Sequence, residues 1–71
     1  MISIDARGMR CPWPAIRLAR ALREHPGQRI EIFADDPAAE RELVQLAATA
    51  GATLSVEGSG AFRIEPRVQT Q

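Results

Sequence analysis

The sequence predicts an α/β (α+β) two-layer sandwich of order β-α-β-α-β-β, a mixed four-stranded sheet with two helices on one face. Three observations carry this expectation. Apolar residues alternate with polar ones in four short stretches, two longer stretches repeat apolar residues at helical spacing, and turn-forming residues fall at each change of period. Right-handed crossovers then put both helices on the same side and leave the other side of the sheet open.

Ile2, Ile4 and Ala6 alternate with Ser3 and Asp5 as in a half-buried strand, and Gly8 permits a tight loop toward Cys11. From Ala15 onward, Ala15, Leu18, Ala19 and Leu22 form the apolar stripe of a first helix. Arg17, Arg20, Arg23 and Glu24 occupy its remaining surface, and His25-Pro26-Gly27 ends it. Gln28 to Ala34 reads as a second strand with Ile30, Ile32 and Ala34 on one side. Asp35-Asp36-Pro37 then offers an N-cap aspartate followed by proline at the first helical position. In the second helix Ala39, Leu43, Leu46, Ala47 and Ala50 make the buried stripe, with Val44 beside it and Gly51 placed for a left-handed C-terminal cap. Thr53 to Glu57 and Ala61 to Glu65 alternate around Leu54, Val56, Phe62 and Ile64, and Gly58-Ser59-Gly60 joins them as an antiparallel hairpin. Phe33, Arg29, Glu31, Arg63 and Glu65 are expected on the open face, where mixed charge suggests cross-strand pairing. Residues 67–71, beyond Pro66, are expected to fray.

With 71 residues the chain is read as one domain, 1–71, whose small core leaves no room for a large enclosed cavity. Nine basic residues, all arginine, balance nine acidic ones, so nonspecific nucleic-acid binding is disfavoured. One cysteine cannot make an internal disulfide, Met1-Ile2-Ser3-Ile4 does not resemble a signal peptide, and no apolar run approaches the ~20 residues of a membrane span. The expectation is a monomer in a reducing cytoplasm, with no membrane partner.

The chemistry concentrates at that cysteine. Cys11-Pro12-Trp13-Pro14 stands between the first strand and the first helix, which sets a thiol at a helix N-terminus. Unpaired backbone N–H groups, the positive end of the helix dipole, and the nearby Arg7 and Arg10 are expected to lower its pKa below the free value of ~8.5. Residues before proline favour extended backbone, as an N-cap does, and two registers fit. Either Cys11 is the N-cap with Pro12 at the first helical position, or Trp13 is the N-cap with Pro14 there. In the first register the amides of Trp13 and Ala15 are the nearest donors for sulfur. A free cysteine can also be a small buried apolar residue; the flanking prolines and arginines argue for a reactive one.

The Cys-Pro-x-Pro motif at the start of the first helix, the Asp-x-x-Gly loop from Asp5 to Gly8, and Asp35-Asp36-Pro37 before the second helix together resemble the TusA family of sulfur carriers, along nearly the whole chain. That resemblance implies a two-layer sandwich whose motif cysteine, here Cys11, takes sulfane sulfur as a persulfide from a donor protein such as a cysteine desulfurase or rhodanese. The cargo then passes to an acceptor protein. Family members relay sulfur toward tRNA thiolation, molybdenum-cofactor biosynthesis or sulfur oxidation, and the motif does not separate these branches. This chain departs from the family pattern at Trp13, a bulky x residue, and at Arg41-Glu42-Leu43-Val44, which replaces a segment commonly containing Asp-Ile.

Such a relay needs an accessible thiol, and the lack of a resolving cysteine keeps a persulfide from collapsing into an internal disulfide. Arg10 can stabilise sulfur anions, guide an acidic partner or simply be solvated, and Arg7 is likewise a candidate for docking a partner. Trp13 can shield cargo, anchor a partner or pack on the first helix. Asp5 is expected to hold the loop through Gly8 by accepting backbone N–H bonds, and Asp36 to cap the second helix. The row Arg17, Arg20, Arg23 can dock an acidic partner, although Arg20 also has Glu24 at i+4. His25, at the far end of the first helix and roughly 18 Å from Cys11, suits a C-terminal charge and not a base for the thiol. Two rivals stand beside the carrier: a noncatalytic adaptor of the same fold, and an RNA-binding domain. Neutral charge and a sheet poor in aromatics count against the second.

Overall fold

A computed structural model describes residues 2–66; the fraying expected of residues 67–71 lies outside the described residues. Its elements are β1 (Ile2–Asp5), α1 (Trp13–Glu24), β2 (Ile30–Phe33), α2 (Ala39–Ala50), β3 (Thr53–Gly58) and β4 (Ala61–Glu65). The sheet runs β1-β2-β4-β3. β1 and β2 are parallel, and β4 lies antiparallel to both β2 and β3. The β-α-β-α-β-β order and the mixed four-stranded sheet are those read from the sequence.

The alternation that marks the strands also builds the core. Ile4, Ile30, Ile32, Phe62 and Ile64 are buried on one face of the sheet, against Leu18 and Ala21 of α1 and Ala39 and Leu43 of α2. The opposite face carries the in-register pair Glu31 and Arg63, with Arg29–Glu65 at 3.4 Å and Arg63–Glu57 at 3.5 Å, the cross-strand pairing expected there.

The stripe of α1 is rotated from the sequence expectation. Pro14, Leu18 and Ala21 are its buried residues, whereas Ala15, Ala19 and Leu22 are only half-buried. Positions 14, 18 and 21 lie on one face at helical spacing, and that face is the one turned to the sheet. On α2, Ala39, Leu43 and Ala47 are buried and Leu46 half-buried, while Ala50 and Val44 are exposed at its end and flank.

Gly51 ends α2 in the left-handed conformation, as expected. The hairpin carries an irregularity between Val56 and Gly58, and beyond it Gly60 approaches the end of β2 closely enough for the Ala34 N–H to donate to the Gly60 carbonyl at 2.9 Å. That contact fixes the hairpin beside Asp35 and Asp36, the residues that reach the cysteine loop.

Candidate functional site

The loops leaving β1 and β2 emerge at the same edge of the sheet because these strands are parallel neighbours. Ala6 N–H donates to the Phe33 carbonyl at 2.7 Å, which extends the pairing by one step. The first loop carries Cys11 into α1 and the second carries Asp35 and Asp36 into α2, so residues far apart in sequence converge.

Two aspartates tie these loops together. Asp35 Oδ1 accepts the Gly8 N–H at 2.9 Å, and Asp36 Oδ2 accepts the Cys11 N–H at 3.0 Å. Asp36 Oδ1 also accepts the Ala38 N–H at 2.8 Å. The N-cap of α2 is Ala38, not Asp36. Asp36 therefore organises the turn just before the helix and spends its second oxygen on the cysteine loop. Its amide bonds from Ala38 and then Cys11 hold its carboxyl below the ordinary aspartate value.

Asp5 accepts a backbone N–H of the loop that runs to Gly8, as expected, and the Gly8 N–H itself goes to Asp35. The Asp5 carboxylate takes the Arg7 N–H at 3.1 Å and the Arg7 guanidinium at 2.9 and 3.1 Å. The side-chain bond to Arg7, helped by the backbone one, lowers its pKa to about 2. Arg7 also lies over the Phe33 ring, 5.7 Å from its centroid. It is thus committed to the open-face side of the loop and not to the thiol.

Around Cys11 both expected registers give way. The N-cap of α1 is Pro12, Trp13 is the first helical residue, and Cys11 precedes the cap. Trp13 N–H donates to the Arg10 carbonyl at 2.8 Å, closing a turn with Cys11 and a cis-linked Pro12 at its centre. The Trp13 amide expected to serve sulfur is consumed by this turn. Cys11 is nevertheless exposed at the N-terminal end of α1.

What meets the sulfur is a carboxylate. Cys11 Sγ donates to Glu42 Oε2 at 2.6 Å. The thiol pKa is consequently pushed up, first by the Glu42 hydrogen bond, then by desolvation and the charges of Glu42 and Asp36, with Arg41 opposing the rise. The expected lowering by the helix terminus, Arg7 and Arg10 is overturned. The Arg10 charge instead favours the ionised Asp36.

Trp13 is 57 % exposed and Ile16, one turn along, is 47 % exposed, so both project from α1 close to the cysteine. Trp13 keeps more than half of its surface open, which leaves it available to a partner while the rest of the ring is covered. Sequence reading missed Ile16 in this patch, although its spacing from Trp13 was a usable signal. Arg17 turns its guanidinium to Met9 Sδ at 3.7 Å, and Arg20 pairs with Glu24 at 2.9 Å. His25 is the C-cap residue of α1, at the end away from Cys11. Beside Asp36, Arg7, Phe33, Asp35 and Gly60 line a shallow cleft of about 320 Å³. Among the described residues, no group of three or more His, Cys, Asp and Glu side chains is placed to hold a metal ion, and no helix is long and apolar enough to cross a membrane.

The fold and site define a class: a small α+β sandwich that displays one exposed thiol at a helix start, braced by aspartates from the neighbouring crossover loop. Comparison with known proteins gives that class a family. The family model described as Sulfurtransferase TusA matches residues 2–67. The chain is 42 % identical over 55 residues to a protein of Archaeoglobus fulgidus named "Putative sulfur carrier protein", an alignment covering 76 % of this chain and 71 % of the relative. The crystal structure of a SirA-like protein from Desulfitobacterium hafniense superposes with a TM-score of 0.74 at 29 % identity, covering 90 % of this chain and 92 % of the other. The chain belongs to the TusA (SirA-like) family of sulfur carriers.

Proposed function

We propose that Cys11 is the cargo residue of this carrier, that it accepts sulfane sulfur as a persulfide from a donor protein such as a cysteine desulfurase or rhodanese, and that it passes the sulfur to an acceptor protein. The observation that supports this reading best is the exposure of the one thiol at the edge where both crossover loops meet, on a backbone tethered by Asp36 at 3.0 Å. A docked partner can reach such a sulfur without opening the core.

In loading, Sγ attacks the terminal sulfur of the donor persulfide. A new Sγ–S bond forms, the donor S–S bond breaks, and its electron pair leaves on the donor cysteine sulfur, which ends with the proton that Cys11 gives up. Unloading repeats the exchange with the acceptor thiol as nucleophile and Cys11 as leaving group. No external oxidant or reductant enters either step. Trp13 and Ile16 supply an apolar contact beside the sulfur, and Arg10 and Arg17 supply positive charge for an acidic partner surface. The protein acts as a monomer in the cytoplasm, without metal or organic cofactor.

The test is incubation with a cysteine desulfurase and cysteine, followed by intact-mass measurement of wild type and Cys11→Ser. Wild type should gain the mass of added sulfur and the variant should not. Equal gain by both would refute the assignment.

A further inference from the structure

We propose that Glu42 is a positioning residue for Cys11: its carboxylate, presented from α2, holds the unloaded thiol in the protonated form and turned toward α2. This deepens the reading of Cys11 as the cargo residue and rests on it for its purpose, though not for its geometry.

The contact spans 31 positions of sequence, so the packing of α1 against α2 creates it. Cys11 is fixed from the backbone side by Asp36 and from the sulfur side by Glu42, at 3.0 and 2.6 Å. Every neighbouring element contributes to the sulfur's electrostatics. The loop before α2 brings Asp36, α2 brings Glu42 and Arg41, and the cysteine loop brings Arg10, whose charge falls on Asp36. The Trp13 amide at the start of α1 is occupied by the Arg10 carbonyl. A thiol can donate to the Glu42 carboxylate and a thiolate can only be repelled by it, so the neutral S–H is the form this site retains.

For a carrier the consequence is selective. An exposed thiolate is the species that alkylating agents and oxidants attack, and retaining the proton spares an empty carrier from them. A sulfur that has lost its proton has no bond to give Glu42. An ionised persulfide is therefore released from Glu42.

The test needs no sulfur donor. The full chain and its Glu42→Gln and Glu42→Ala variants, with folding checked by circular dichroism, are alkylated with iodoacetamide across roughly pH 6 to 10, a range spanning ordinary thiol ionisation. The rate profiles of both variants should move to lower pH. At pH 7 alkylation should be roughly two- to fivefold faster, because a larger thiolate fraction outweighs its lower intrinsic nucleophilicity. The infrared S–H stretch of wild type, which requires no variant, should lie at lower wavenumber than that of a free thiol. Profiles that superimpose on wild type, or a stretch at the free-thiol position, would overturn the proposal. These readings are made on empty protein, so sulfur loading of Cys11→Ser would refute the carrier assignment without touching them.

Discussion

Replacing Gly60 by alanine should destabilise the domain far more than the same change at Gly27, although both glycines have nearly the same backbone conformation, φ +74° and +80°. A left-handed alanine costs about 1–2 kcal/mol, partly offset by the roughly 0.4–1 kcal/mol gained when the unfolded chain loses freedom. At Gly27 nothing lies within 4 Å of the new Cβ, so this net of about 1 kcal/mol is the whole effect. At Gly60 the Cβ would sit 2.8 Å from the Ala34 carbonyl oxygen. That oxygen cannot simply withdraw, because the Ala34 N–H is bonded to the Gly60 carbonyl at 2.9 Å across the same contact.

Overpacking of this kind adds about 1–3 kcal/mol, for a total of roughly 2–4 kcal/mol at Gly60. In a domain of this size each kcal/mol moves Tm by about 4–8 °C. Thermal melts followed by circular dichroism should therefore show a drop of about 4–8 °C for Gly27→Ala and roughly 10–30 °C for Gly60→Ala. Equal drops would mean that the hairpin does not press on the end of β2, and the account of how Asp35 and Asp36 are held in place would fail with it.

Other consequences follow from the same packing. Leu43 is fully buried between α2 and the sheet, and Leu43→Ala should cost roughly 2–5 kcal/mol in urea denaturation. Trp13 is largely exposed, so Trp13→Ala should leave stability within about 0.5 kcal/mol while weakening capture by a sulfur-donor protein roughly tenfold in a binding titration. Carboxyl titration by NMR should give Asp5 a pKa near 2, and Arg7→Gln should return it toward 3.8. Because the folded value is the lower one, the Asp5–Arg7 contribution to stability is present above about pH 3.8 and is lost as pH falls through about 2. The pair is exposed, so added salt should weaken it.

The backbone architecture was legible because each element announces itself locally. Ile30, Ile32 and Ala34 alternate, Leu43 and Ala47 are one helical turn apart, and Gly51 stops α2 where its stripe ends. The phase of α1 was less legible. Two prolines near its start allow competing N-caps, and small apolar residues at 15, 19 and 21 make neighbouring stripes look alike in the sequence, whereas the face that is buried carries Pro14, Leu18 and Ala21.

The site was legible only in part, for a different reason. Cys11 stands out by chemistry and neighbours, but the electrostatics of its sulfur depend on α2. A helix terminus and two arginines are what the chain shows locally around Cys11, and these alone would lower the thiol pKa. The fold places Glu42 and Asp36 at the sulfur instead, sends Arg7 to Asp5, and raises it. One usable signal was that Glu42 stands in the first turn of the helix that follows the Asp-Asp-Pro motif, whose loop tethers Cys11.

The relay itself is tested most directly by a chase. Protein loaded with isotopically labelled sulfur, freed of its donor, is mixed with a thiol-bearing acceptor protein, and the label is followed by mass spectrometry on both chains. The account requires the label to begin on Cys11 and to appear on the acceptor cysteine as it leaves Cys11. Label found on any other residue of the loaded chain, or retained on Cys11 while a competent acceptor stands by, would contradict it.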